Sequence, residues 1–232
     1  MSFIEHLEEM RRRIIRCLIF ILVFSIAAYF FSEWIIDFIA RPVEKLYFLD
    51  PTEAFAMRIK ISIIMGIILS IPVIFYHLWQ FIVPGLFEKE IKLVIPVVIF
   101  STIFFLIGAS FCFFLVLPLG IKFLLGFGTD KLFPMIKIGS YVSFVSYMTL
   151  AFGAVFELPV VSYFLGRVGL ITSRTLAKGR RYAFVGILIL ASVLTPPDLF
   201  SQMMLAGPLY ILYEISILVV KFTQKKKEKV VS

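Results

Sequence analysis

Charge is scarce in this chain. Of its 232 residues only 16% are Asp, Glu, Lys or Arg, while 61% are apolar. A water-soluble domain of this length carries about a quarter charged residues and under half apolar. That deficit excludes a single soluble core, and lipid is the solvent that fits the composition. Cysteine is also rare. Cys17 and Cys112 both lie inside apolar runs, without a partner at metal or redox spacing, so free thiols are expected. The two histidines, His6 and His77, are far apart and form no metal-ligand pattern; a structural role is expected for His77, read as ending the second helix beside Trp79. No HExxH, GxSxG or phosphate-loop motif is present. Nothing marks a catalytic centre, a metal site or a cofactor, and none is expected.

Long apolar runs are what the chain has instead. Six stand out, at residues 14–34, 59–79, 93–117, 141–166, 182–195 and 200–220, each bounded by charge, Pro or Gly. The first follows Arg11, Arg12 and Arg13, as in a cleaved leader. It continues to Phe31, however, and Glu8 and Glu9 interrupt the basic region, so a retained helix is expected. The fifth run is short: at ~1.5 Å per residue it covers roughly 21 Å, against ~30 Å of hydrocarbon. Thr195-Pro196-Pro197-Asp198 then turns the chain straight back.

Sixteen of the 23 Lys and Arg residues fall on the side of the N-terminus, the second and fourth loops and the tail, and seven on the other. The richer side is read as cytoplasmic. The expected fold is therefore all-α, with six transmembrane helices, both termini inside, and a short fifth and sixth helix hairpin. It reads as one polytopic membrane domain over 1–232: a cytoplasmic amphipathic segment at 1–13, a membrane region at 14–220 and a basic cytoplasmic tail at 221–232. The Lys-rich tail is expected to be disordered and to touch anionic lipid. Residues 35–58 and 118–140 read as outer loops. Within the first, Asp50-Pro51-Thr52-Glu53 has the form of N-cap, Pro at N1 and Glu at N3. Ser140 suits the N-cap of the fourth helix.

Several polar groups need a reason. Ser2 and Glu5 fit a capping box, and Phe3, Leu7, Met10 and Ile14 recur at helical spacing. Glu8 with Arg12, and Glu9 with Arg13, are i,i+4 pairs. The segment reads either as a helix lying on the membrane surface or as a carboxylate facing a cationic ligand. The first inner loop, Phe81-Ile82-Val83-Pro84-Gly85-Leu86-Phe87-Glu88-Lys89-Glu90, is apolar yet ends in acids. It suits a guanidinium ligand or merely flanks the third helix. Glu157 lies ten residues from Arg167, ~15 Å deep. A carboxylate there must face protein or water, or be protonated. Ser143, Ser146, Thr149 and Gly153 fall near the same helical face, and Pro159 frees the Val155 carbonyl and bends the helix. Asp198 reads as an N-cap, Gln202 as a candidate for bonding a neighbouring helix, and Glu214 as facing the inner side or snorkelling.

These same places resemble TatC, the multi-pass receptor subunit of the twin-arginine protein translocase. The resemblance runs from His6-Leu7-Glu8-Glu9-Met10-Arg11 through Phe81-Ile82-Val83-Pro84-Gly85-Leu86-Phe87 and Glu90. It continues in Ser140-Tyr141-Val142-Ser143-Phe144 and Phe152-Gly153-Ala154-Val155-Phe156-Glu157-Leu158-Pro159, and ends in Leu194-Thr195-Pro196-Pro197-Asp198-Leu199-Phe200-Ser201-Gln202. It implies export of folded proteins bearing twin-arginine signal peptides, driven by the proton-motive force, with the single-span partners TatA and TatB, self-association in the complex, and residence in the cytoplasmic (inner) membrane. It also implies a signal-peptide site at Glu9 and Glu90, with Arg11, Arg13, Phe81 and Pro84. Glu157 matches the family's intramembrane acid, and Thr195 and Gln202 match positions associated with partner-helix contact. The choice of Glu9 and Glu90 over Glu8 and Glu88 comes from that alignment of motifs.

Two other classes are open on the residues. An ion-coupled transporter would use Glu157 as its ion site, but no second half mirrors the first. The six-residue echo between Ile71-Pro72-Val73-Ile74-Phe75-Tyr76 and Leu158-Pro159-Val160-Val161-Ser162-Tyr163 is too short to define a repeat. An intramembrane enzyme lacks a nucleophile–base pair or metal set.

Overall fold

The computed structural model describes residues 3–43, 46–86, 94–126, 134–194 and 199–231. Among them the backbone is helical almost throughout, as hydrocarbon demands of a chain that must satisfy its own N–H and C=O groups. Five helical stretches are long and apolar enough to cross a membrane: Ile4–Phe30, Pro51–Ile82, Val94–Leu125, Ile138–Val168 and Gln202–Gln224. A sixth, shorter apolar helix, Arg180–Leu194, precedes the last. The fold is the expected all-α membrane fold of six transmembrane helices.

The helices outrun the hydropathy that announced them. Helix α1, Phe3–Phe30, begins well before its apolar run. The amphipathic segment is thus the start of the first spanning helix and not a separate helix lying on the surface. Ser2 of the expected capping box lies outside the described residues. At Phe31 the chain bends (φ −103°, ψ 8°) and α2, Ser32–Ala40, follows within the expected outer loop. Pro42 disfavours helix at the residue before it and ends α2 there. Helix α3, Pro51–Leu86, starts at the expected proline and carries straight through Phe81, so the first part of the expected inner loop is helix. Helix α4, Val94–Phe111, continues through a π-helical turn, Cys112–Val116, into α5, Leu117–Leu125. The second outer loop therefore starts eight residues later than hydropathy suggested. Pro118 has no N–H to give the Phe114 carbonyl, and the wider π turn takes up the mismatch.

Helix α6, Ile138–Val155, starts two residues before Ser140, which sits in its first turn and is not its cap. Pro159 breaks the fourth span at Phe156 and Glu157, as expected, and α7, Leu158–Val168, resumes it. Gly169 closes α7 in the left-handed region (φ 92°), donating to Leu165 O at 3.1 Å, a conformation that suits glycine. Helix α8, Ser173–Lys178, is capped by Thr172, whose hydroxyl accepts from Thr175 N at 3.1 Å. Helix α9 is Arg180–Leu194 and α10 is Leu199–Val231. The intervening turn of Thr195, Pro196, Pro197 and Asp198 lies outside the described residues. The Lys-rich tail is not disordered but continues α10, because Lys, Glu and Gln propagate a helix already nucleated in the membrane.

The internal contacts form two compact units. The first comprises Met1–Thr102 and Ile121–Ser146. Its spine is α1 on α3, whose backbones come into close contact at Gly66: a Cβ there would stand 2.7 Å from Ser25 N and 2.9 Å from Ile21 O. Small residues permit such backbone contact within lipid. At the other end, a single bridge joins Tyr47 to Lys137, with Tyr47 N donating to Ile136 O (3.0 Å) and Ile138 N to Tyr47 O (2.9 Å). Glu53 organises this end. Its Oε2 accepts from Leu49 N at 3.1 Å, its Oε1 accepts from Gly139 N at 3.0 Å, and Lys137 Nζ lies 3.7 Å away. The second unit comprises Ile103–Gly120 and Tyr147–Ser232, with α10 packed on α7 and α9.

Glu53→Ala removes the charged acceptor of two backbone N–H groups. It is expected to cost roughly 2–4 kcal/mol, read as a drop in the thermal midpoint of detergent-purified protein; an unchanged midpoint would show that the Tyr47–Lys137 bridge holds without it.

Candidate functional site

In the first unit, the start of α1 and the end of α3 bring together polar side chains far apart in the chain. His6, Glu9 and Arg13 follow one another at i, i+3 and i+7 on α1, and so share a face. His6 stacks on Phe81 of α3, ring centroids 4.3 Å apart at 19°. Arg13 donates Nε to Glu9 Oε1 at 3.1 Å, gives a second bond from Nη2 to the same oxygen, and donates Nη1 to Gln80 Oε1 at 2.7 Å. Its side chain is only 13% exposed, that of Glu9 33%. Glu8 differs: it pairs with Arg12 at 3.3 Å, and these side chains are 62% and 72% exposed. Pairs of that kind contribute little, so Glu9 is the acid built into the fold. Arg11 is exposed. Pro84 lies in the last turn of α3, and Glu90 and Glu88 lie outside the described residues.

Sequence pattern alone gives Gln80 no role, although an amide between Trp79 and Phe81, directly after an apolar run, is a signal. The chain has three glutamines, Gln80, Gln202 and Gln224, and each makes a bond between segments. His77 does not end a helix as expected, since α3 runs nine residues further; it is buried at 8% exposure. Trp79, also buried, donates Nε1 to Ser101 Oγ at 3.0 Å and ties α3 to α4. Lys60 of α3 donates to Ser143 Oγ of α6 at 2.6 Å, so Ser143 is engaged within the first unit.

The second unit holds Glu157, buried at 8% exposure in the break between α6 and α7. Its carbonyl accepts from Val161 N at 2.9 Å, which restarts the helix after the proline. Aromatic packing fixes the break. Phe156 lies 5.7 Å and Phe152 6.2 Å from Phe111, centroid to centroid. Gly108 leaves room for Phe156, whose Cγ would stand 2.6 Å from a Cβ there, and Gly153 does the same for Phe105. Cys112 is buried close by in the chain and Cys17 is half-buried; both are free thiols.

The same unit binds its short helices to α10. Arg180 forks onto Glu214 with bonds of 2.7 and 2.8 Å, so Glu214 is paired within this unit. Tyr213 donates to Leu176 O at 2.7 Å, and Ser173 donates through N and Oγ to Gln224 Oε1 at 3.3 and 3.2 Å. Gln202 donates Nε2 to Leu188 O at 3.0 Å, joining α10 to α9. Thr195 and Asp198 lie outside the described residues.

Residues 5–208 match the family model for the Sec-independent protein translocase protein TatC. Among curated relatives bearing that name, the protein of Desulforapulum autotrophicum is 43% identical over 97% of this chain and 86% of its own length. That of Carboxydothermus hydrogenoformans is 43% identical over 98% and 96%. That of Escherichia coli is 36% identical over 94% and 88%. A crystal structure of a twin-arginine translocase receptor, TatC, superposes with a TM-score of 0.84 at 38% identity, covering 94% of this chain and 99% of its own.

Gly108→Val would drive a side chain into Phe156. It is expected to destabilise the protein by roughly 1–3 kcal/mol, measured by thermal unfolding in detergent. No loss would mean that the break between α6 and α7 does not rest on α4 through this contact.

Proposed function

Since the chain belongs to the TatC family of Sec-independent protein translocase proteins, we propose that it is the receptor that binds twin-arginine signal peptides of folded cargo. On this reading it works in the cytoplasmic (inner) membrane with both termini inside, and with the single-span proteins TatA and TatB it moves cargo outward on the proton-motive force. The observation that carries the reading is the half-buried Glu9 on a rigid helix pair, backed by Gln80 and the His6–Phe81 stack. Glu9 and Glu90 each accept one guanidinium of the peptide, Arg11 and Arg13 set the surrounding charge, and Phe81 and Pro84 take its apolar part. A guanidinium suits such a carboxylate because its planar fork makes two charge-assisted bonds, which an ammonium cannot. The Lys and Arg imbalance supports the orientation.

Glu157 supplies a polar point within the membrane, beside a helix break, where a polar group of a partner helix finds a complement. Helix α9, at 15 residues, covers roughly 22 Å of a ~30 Å core. Such a mismatch thins the bilayer or recruits a partner helix, and Thr195 and Gln202 flank the turn where that helix would dock.

Binding of a twin-arginine signal peptide to the detergent-purified protein tests the receptor reading. The Lys-Lys peptide, and the Glu9→Ala and Glu90→Ala variants, are expected to bind roughly tenfold or more weakly. Equal binding in every combination would reduce both acids to surface charge. For the docking step, three or four Leu inserted into α9 are expected to weaken co-purification of TatA and TatB and to slow export; unchanged assembly and export would sink that part.

A further inference from the structure

Glu9 already holds a guanidinium. Among the described residues, two bonds from Arg13 reach its carboxylate, both on one oxygen, Oε1, while Arg13 also has an amide acceptor in Gln80 on α3. Given the twin-arginine reading of Glu9, on which this rests, a peptide arginine must enter a carboxylate already paired by an intrachain cation. We infer that Arg13 is an internal competitor for the peptide guanidinium. Peptide binding is an exchange in which the incoming fork takes Glu9, and Arg13 withdraws onto Gln80.

The physical chemistry favours such an exchange over a vacant site. A half-buried carboxylate with no cation would be costly in the resting protein, and Arg13, itself 13% exposed, needs Glu9 in turn. Exchange keeps Glu9 paired with a cation in both states and leaves Arg13 an amide acceptor when it withdraws. Gln80 makes it feasible, because Arg13 retains one strong acceptor after it leaves Glu9. The same arrangement holds affinity down: the peptide arginine that enters at Glu9 must displace a like charge, and Arg13 returns to hasten release. A receptor that hands cargo onward needs release as much as capture. Arg12 lacks this role, since its pair with Glu8 is exposed to solvent.

Two substitutions of opposite sign test the exchange in the full-length protein, with a twin-arginine signal peptide as the probe and both equilibrium affinity and dissociation rate as readouts. Arg13→Gln removes the competitor and is expected to tighten binding roughly tenfold, mostly through slower dissociation. Gln80→Leu removes the withdrawal site and is expected to weaken binding, because Arg13 then depends wholly on Glu9. A merely structural network would weaken with both changes. Arg13→Lys, which keeps the charge but loses the fork, is expected to fall between wild type and Arg13→Gln. If Arg13→Gln binds no better while Glu9→Gln still abolishes binding, the exchange is wrong and the receptor site stands. If Glu9→Gln binds as wild type, the recognition reading itself fails, and the exchange with it.

Discussion

Hydrocarbon offers a peptide group nothing to bond with, and almost every feature of this protein answers to that constraint. Among the described residues the backbone is helical almost throughout, and the places where the helical ladder fails are the places where something else is built. Pro118 leaves the Phe114 carbonyl without its partner, and the ladder widens to a π turn at Cys112–Val116. Pro159 does the same to Val155, and here the helix breaks outright, with Glu157 in the gap. Among the described residues of the second unit, the one buried acid thus sits where the backbone is already irregular. Neighbouring Phe156 is held by Phe111 and by the space at Gly108.

Side-chain polarity follows the same constraint. Ser25, Ser62, Ser70, Thr102 and Ser216 each return their hydroxyl to the carbonyl four residues earlier, which satisfies them within their own helix. Groups that are too large or too charged for that bond across helices: Trp79 to Ser101, Lys60 to Ser143, Arg13 to Gln80. Each such cross-link positions much of what surrounds it. Glu53 is the extreme case, one carboxylate holding a loop N–H, that of Leu49, and one in the first turn of α6, that of Gly139, at the end of the first unit opposite to Glu9.

The proposed receptor chemistry uses this economy. A site for a cationic peptide at a membrane face has to keep an acid ionised and positioned without a ligand present. Helices α1 and α3 do so with an internal arginine and an amide, on two continuous helices that extend past their apolar runs. Rigid helices hold such a geometry more closely than a loop would. At the other end of the chain, a short α9 is tied to α10 by Arg180–Glu214 and by Gln202–Leu188. Its limited length therefore belongs to the fold and cannot be relieved by sliding past its neighbour.

The sequence by itself determined the solvent, the six helices and their order, because hydropathy reports the free energy of each segment in lipid. It also placed the short fifth helix, the start of α3 at Pro51 and the break before Pro159, since these depend on residue count and on a missing N–H, both local. It misplaced the ends of helices at Trp79, Leu117, Ser140 and Val220, because hydropathy ends where lipid ends while backbone hydrogen bonding does not. Resemblance of motifs singled out Glu9, but which of Glu8 and Glu9 is built into the fold was decided only by packing. Glu8 and Glu9 are neighbours in sequence and point to different environments once α1 lies on α3. Only the tertiary structure could join Arg13 to Gln80, 67 residues away, and Glu53 to Gly139, 86 residues away. Hydrogen bonds are short-ranged and directional, and no pattern along one helix reveals which side chain waits on another.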